Sequence, residues 1–337
     1  MTENISINNI IVGACLLVLL VVGGIAGVLP AILNDCITRF GSMVILTLAM
    51  LPTIRCGMGL NIGLPVGIVC GLIAEVIAIE NNFFGLGFLL VSVLIAILIA
   101  IPVGYVYGKL MNAAKGLEMT AGAITASLFT VLFYIAWRII LPMRSWVSFG
   151  ASQQTTISLY DFGANQILDS ILSFRIGSNI TVPSGTLLAI LLLCYALYRF
   201  KPDVTISTDK IGSIFTRTAD LHVDNNRILA SILSTVLGAL GIIVYGQSIG
   251  YIQLLDALMM TYPAVAAVLI GGATMWRVRI LHVFFGTFVF NNILFTALLI
   301  TNRLLATTEN LVLTDVVIQI IQNGVNLCVL VQLCKSK

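Results

Sequence analysis

The chain has 337 residues, of which 59% are hydrophobic and 9% charged, and its mean hydropathy is +1.08. A soluble domain carries about 25% charged residues, so this chain cannot clothe a water-facing surface and most of its exterior must face lipid. The formal net charge of +3 is small and no basic stretch is interleaved with aromatics, which argues against nucleic acid as a partner.

In chain order, residues 1–9 form a head without Lys or Arg. The apolar run 10–33 is too long for a signal peptide and lacks a basic leader, so it reads as a retained first helix. Nine further runs follow, at 38–54, 60–79, 85–109, 119–141, 183–200, 228–247, 256–272, 278–300 and 311–333. A span needs about 20 mostly apolar residues. These runs are continuously apolar and do not alternate with period two, which selects helices over a barrel. The expectation is an all-α polytopic membrane protein of ten transmembrane helices, with 1–337 as a single transmembrane domain.

Two polar stretches interrupt the pattern. Residues 142–182 carry Ser, Gln, Asn, Asp161 and Asp169; residues 201–227 carry Lys201, Asp203, Asp209, Lys210, Arg217, Asp220, Asp224 and Arg227. The second divides a first half, 10–200, from a second half, 228–334. With the N-terminus inside and alternating spans, Arg39, Arg138, Arg144, Arg175 and Arg303 fall outside, and the other 12 of the 17 Lys and Arg fall inside. The bias of basic residues toward the cytoplasm supports cytoplasmic N- and C-termini.

Each half holds a segment rich in helix breakers. The first is Pro52 to Gly67, with Gly57, Gly59, Asn61, Gly63 and Pro65; the second runs from Tyr262-Pro263 to Gly271-Gly272. Paired interruptions of this kind point to broken helices at a translocation site, because freed backbone groups in lipid must line a cavity or be buried in protein. Close helix packing through small residues is the competing explanation.

Catalytic constellations are not legible. His222 and His282 stand apart from each other and from any cysteine pair, and the seven cysteines form no C-x-x-C, so neither a metal site nor a cofactor is expected. Gly104-Tyr-Val-Tyr-Gly108-Lys109 faintly suggests a phosphate loop, but its spacing is wrong and it continues a span. No carboxylate pair or G-x-S-x-G elbow is present, so no catalytic residue and no nucleotide site is assigned.

Polar residues inside spans mark the candidate path. Glu75 lies one to two turns from the outer end of its span, and either lines the path or finds a partner near the interface. Glu80, Asp256 and Asp315 sit at outer ends, and Glu118 at an inner mouth. Asn61, Thr125, Ser127, Asn291, Asn292, Gln319, Gln322, Asn323 and Asn326 offer neutral polar groups that suit a hydroxylated solute or interhelical hydrogen bonds. In the inner loop, Ile211, Ile214, Phe215 and Thr218 recur at helical spacing and would expose an apolar ridge to a partner.

That loop, 208–227, resembles the cytoplasmic loop of permease subunits of the ABC importers for monosaccharides, branched-chain amino acids and nucleosides: Ala219, Val223 and Arg227 fall in the family's order, with Leu221-His222 near the place of its usual Gly. Ala266-Ala-Val-Leu-Ile-Gly271-Gly272-Ala-Thr followed by Gly286-Thr287 is similar to that family's Ala-Val-Val-Leu-Gly-Gly-Thr…Gly-Thr run, with Met275-Trp-Arg-Val-Arg-Ile280 replacing a Gly-rich spacer. Gly59-Leu-Asn61-Ile-Gly63-Leu-Pro-Val-Gly67 is similar to its Gly-Ile-Asp-Leu-Ser-Val-Gly segment, Asn61 standing where the sugar branch often has Asp. The resemblance covers residues 43–332.

The resemblance implies a type II importer fold with two broken helices, in a bacterial inner membrane. It implies a second permease subunit (identical or different), an ATP-binding cassette subunit and an extracytoplasmic solute-binding protein as partners. Ile211, Ile214, Phe215, Arg217 and Ala219 would couple to the ATPase; Asn61, Gly63, Glu75, Gly271, Gly272, Asn291 and Asn292 would line the path. A monosaccharide is the first expectation for the solute, a nucleoside or branched-chain amino acid the next. A self-sufficient secondary carrier is the alternative of a different class.

Overall fold

The computed structural model describes residues 29–140, 147–149, 155–171, 174–176, 180–199, 216–253, 259–274 and 278–305, with positions 320 and 324. The body is helical. The first helix, α1, is Leu29–Leu48, followed by the single turn α2, Leu51–Arg55. After an irregular segment come α3, Leu64–Glu80; α4, Gly85–Ala113; and α5, Glu118–Ile140. Further on lie α6, Ile167–Ile171; α7, Ser184–Arg199; α8, Thr216–Ile249; α9, Thr261–Ile270; and α10, Ile280–Leu305. The expected runs 10–33 and 311–333 lie almost wholly outside the described residues.

Among the described residues, three helices are long and apolar enough to cross a membrane: Gly85–Ala113, Glu118–Ile139 and Val223–Ile249. Their exposed surfaces differ sharply. Leu86, Leu90, Leu94, Leu98, Ile101 and Tyr105 run down one face of α4 at a spacing of three or four residues, all exposed. A soluble protein does not leave so long an apolar stripe in water. α8 instead lies at the centre, packed by α4, α3 and α1, while α10 packs on α1 and α9.

Glycine sets the closeness of that packing. A Cβ on Gly67 or Gly71 of α3 would stand 2.5 Å from the carbonyl oxygen of Thr235 or Ala239 in α8. A Cβ on Gly104 or Gly108 of α4 would stand 2.8 or 2.9 Å from the Cα of Ile232 or Ile228. Both pairs are small-x-x-x-small motifs, which let helix backbones touch. The phosphate-loop-like Gly104…Gly108 is therefore a packing surface, set against Ile228, Ser231, Ile232 and Thr235 of α8.

The polar segment 142–182 departs from an all-α chain. It contributes β1, Val147–Phe149; β2, Thr155–Ser158; and the hairpin β3, Phe174–Ile176, with β4, Ile180–Val182. Immediately after α8 comes β5, Tyr251–Gln253. The first sheet has the order β1-β2-β5, antiparallel throughout, with Val147 opposite Ile157 and Ile157 opposite Ile252. Leu159 N–H donates to Gly250 O at 2.9 Å and Gln166 N–H to Gln247 O at 2.8 Å. The segment is thus sewn onto one end of α8 as a cap.

The cap end and the opposite, Arg227 end define an axis. Arg227 and Gln247 are 20 positions apart on one helix, which at 1.5 Å per residue is about 30 Å, the thickness of a bilayer's hydrocarbon core.

Candidate functional site

The breaker segment predicted at Pro52–Gly67 is a real interruption. α2 ends at Arg55, and Gly57 and Gly59 take φ of 72° and 76°, the left-handed region that glycine enters without steric cost. α3 then restarts at Leu64 with Pro65 in its first turn, where the missing N–H costs nothing. The intervening turn is buried in the bundle, so its polar groups must find partners.

Asn61 supplies them. Its Oδ1 accepts the Gly63 N–H at 3.0 Å and the Tyr107 O–H at 2.8 Å. Its Nδ2 donates to Ser234 Oγ at 2.7 Å, and the Ser234 hydroxyl donates in turn to Ala49 O at 2.5 Å. Asn61, Tyr107 and Ser234 are 6%, 4% and 0% exposed, so this latch joins α3, α4, α8 and the α1–α2 junction out of water. Gly63 is required for it: a Cβ there would overlap the Tyr107 hydroxyl, which sits between Gly63 and Gly122.

Below the latch opens a cleft lined by Thr53, Met58, Gly59, Asn61, Tyr107, Met111, Glu118 and Ser231, with room for about one water. Its mouth is clasped by charge. Arg227 Nη2 meets Glu118 Oε1 at 2.5 Å and Met111 O at 3.5 Å, while Glu118 Oε2 accepts the Gly116 N–H at 2.9 Å. Lys115 pairs with Asp224 at 2.6 Å on the more exposed side. Cys56 Sγ donates to Asn226 O at 3.5 Å, and burial pushes its thiol up to about 11. Arg227 and Ser234 are seven residues apart on α8, so the latch lies about 10 Å deeper than the clasp.

No family model, curated protein or solved structure matches this chain. Its function must be argued from its own residues.

The remaining candidates are spread out. Glu75 is fully buried near the cap end, beside Gly246 of α8 and beneath Leu159 and Ile252, and neither carboxyl oxygen has a hydrogen-bond partner among the described residues. Among the described residues it has neither access to solvent nor an ion-pair partner. Twelve residues of α8 separate Ser234 from Gly246, placing Glu75 about 18 Å from the latch. At the second breaker segment, α9 has 10 residues, contains Pro263 and ends before Gly271-Gly272, Gly272 with φ of 87°. Gly271, however, acts through packing. A Cβ there would overlap His282 O, and one on Gly286 would overlap Ala267 O, so α9 and α10 touch backbone to backbone. Asn291 donates to Arg39 O at 3.5 Å and Asn292 to Phe288 O of its own helix at 2.7 Å. These residues pack with α1 and do not join the Asn61 latch.

Of the coupling residues, Arg217 and Ala219 fall in the first turns of α8, whose helix begins 12 positions before the expected start at 228. Ile211, Ile214 and Phe215 lie outside the described residues, as do Gln319, Gln322, Asn323 and Asn326. Thr125 bonds to Ala121 O of its own helix at 2.7 Å. Sequence reasoning missed Tyr107, Ser234 and the Glu118–Arg227 clasp as a unit. The only sequence signal for Tyr107 was its place between Gly104 and Gly108, which marks an interhelical surface.

Proposed function

We propose that this chain is the permease subunit of an ATP-driven importer for a small polar solute, with a monosaccharide as the first choice. The observation that carries the reading is the buried turn at 56–63, held shut by Asn61 between α3, α4 and α8 above a polar cleft. A broken helix pinned by a few neutral hydrogen bonds is a gate that opens at a cost of a few kcal/mol, the size of gap a bistable transporter needs. Ser231 and Ser234 ride on the helix that begins at Thr216. An ATPase docked on 201–227 would move that helix end and, through the rigid helix, the latch. The Arg227 end is then cytoplasmic and the cap extracytoplasmic, in contact with the binding protein.

The test uses Phe215→Asp. The variant should keep its helical content and gel-filtration profile in detergent, lose association with the ATPase, and lose ATP-dependent uptake in vesicles. An undiminished pull-down of the ATPase refutes the coupling assignment.

One observation favours a second reading, a self-sufficient carrier: Glu75 is a buried acid without a partner among the described residues, the kind of group that ion-coupled carriers use. Uptake driven by an ion gradient in vesicles without ATP would select it.

A further inference from the structure

The cap end of α8 gathers unspent hydrogen-bonding capacity. Both oxygens of Glu75 are buried without partners among the described residues, and so are Gln247 Nε2 and Asn165 Oδ1. Three contacts place them around the last turns of α8. A Cβ on Gly246 would stand 3.2 Å from Glu75 Oε1. A Cβ on Gly250, one turn further along the same face, would stand 2.9 Å from Asn165 Oδ1. Gln247, next to Gly246 in the same turn, is 1% exposed, its Oε1 accepting the Leu168 N–H at 3.4 Å while its amide nitrogen has no partner among the described residues. Burying polar groups unsatisfied is costly, and a native structure that does so at one place asks for an explanation.

We infer that Glu75, Gln247 and Asn165 form a recognition site for a polyhydroxylated solute beneath the cap, completed when the cap parts from α8. The inference rests on the transport reading and specifies its solute class. The two carboxyl oxygens accept from adjacent hydroxyls, the Gln247 amide donates to a hydroxyl or ring oxygen, and Asn165 accepts one more. Leu159 and Ile252, which flank the Glu75 oxygen at Gly246, supply an apolar wall for the C–H face of a sugar ring. A site of this composition discriminates against solutes lacking hydroxyls, because such a solute leaves the same polar atoms unpaired. Entry requires the cap to part from α8, which breaks Leu159 N–H to Gly250 O, Gln166 N–H to Gln247 O, Leu168 N–H to Gln247 Oε1 and the pairing of β2 with β5. Glycine at 246 and 250 lets the side chains of Glu75, Tyr160 and Asn165 come up against the α8 backbone.

The experiment measures equilibrium binding of tritiated D-ribose, D-glucose and myo-inositol to the full chain in lipid nanodiscs, with leucine as competitor. At least one polyol should bind saturably, leucine should not compete, Glu75→Gln should weaken that binding at least tenfold, and Gln247→Met severalfold. If Glu75→Gln does not fold, Gly246→Ala, which crowds Oε1, must weaken binding instead. The inference is overturned if none of the three polyols binds, if Glu75→Gln binds like the wild type, or if Glu75→Gln changes only the sodium or proton dependence of uptake. Binding by the isolated chain needs no ATPase. A positive result with ATP-independent uptake would therefore sink the importer reading alone, and a negative one with ATP-driven uptake would sink this site alone.

Discussion

The latch makes a quantitative prediction through a double-mutant cycle between Asn61 and Tyr107. Tyr107→Phe removes one hydroxyl and leaves Asn61 Oδ1 still bonded to the Gly63 N–H at 3.0 Å. Its cost is that of one neutral hydrogen bond, about 1 kcal/mol. Asn61→Ala does more: it orphans the Gly63 N–H and the Tyr107 O–H, both buried, and removes the donor that Ser234 Oγ accepts at 2.7 Å. Two stranded donors at about 1–3 kcal/mol each give a loss of about 2–6 kcal/mol, with the lower end favoured because the adjacent cleft admits a water. In the double variant the Tyr107 hydroxyl is no longer there to be stranded. The pair should therefore be no less stable than Asn61→Ala alone, a coupling of about 1–3 kcal/mol. The assay is reversible unfolding from mixed micelles, read by far-ultraviolet circular dichroism, for the wild type, both single variants and the double. Strict additivity of the two losses would refute the network and with it the gate.

Two further outcomes test the frame around the latch. Gly71→Ala places a methyl 2.5 Å from Ala239 O, so α3 must shift from α8, with a destabilisation of about 1–3 kcal/mol in the same unfolding assay. Gly87→Ala, in open space near the start of α4, should be neutral or stabilising by up to about 1 kcal/mol. Cys56 lies between the expected spans, and burial holds its thiol at about 11. Only about one molecule in ten thousand then carries the thiolate at pH 7, so maleimide labelling should be slow at pH 7 and accelerate about tenfold per pH unit up to pH 10. Fast labelling at neutral pH would show the mouth of the cleft to be open.

The density of Gly and Pro between Pro52 and Gly67 was enough to locate the interruption, because backbone geometry is a local property that those residues control directly. The partners of Asn61 were not readable. Tyr107 is 46 positions away and Ser234 is 173, and each sits in an apolar run whose composition says only that it is buried. The same limit explains Gly271. Its neighbours Pro263 and Gly272 mark a break correctly, yet the reason for the glycine is His282 O on the following helix, which no local pattern reports. Glu75 stood out as a charge within a span, but Leu159 and Ile252, which meet it at Gly246, lie just after β2 and within β5, and strands of three or four residues carry almost no sequence signal. The long polar stretch 142–182 announced a domain outside the helices without showing that it would seal one.

These placements bear on how work could pass through the molecule. A single helix, α8, touches the clasp at Arg227, the latch at Ser234 and the polar site at Gln247. Its faces toward α3 and α4 are bounded by Gly67, Gly71, Gly104 and Gly108, where the backbones come close together. Interlocked side chains resist sliding, because each must change rotamer to pass its neighbour; a glycine-lined surface presents smaller obstacles. A push at the Arg227 end would therefore be carried along α8 as a rigid displacement. Three hydrogen bonds of about 1 kcal/mol each set the resistance at the latch, and the Leu159, Gln166 and Leu168 bonds with the pairing of β2 and β5 set it at the cap. Both are small beside the packing energy of the bundle, so the two gates can yield while the helices stay folded. For alternating access the gates must not yield together. The 18 Å between Ser234 and Gly246 is long enough for a tilt of α8 to loosen one end while pressing the other shut, whereas a pure translation along its axis would loosen both. On the proposed transport reading, rocking of α8 about its glycine-packed middle is the motion that meets this requirement.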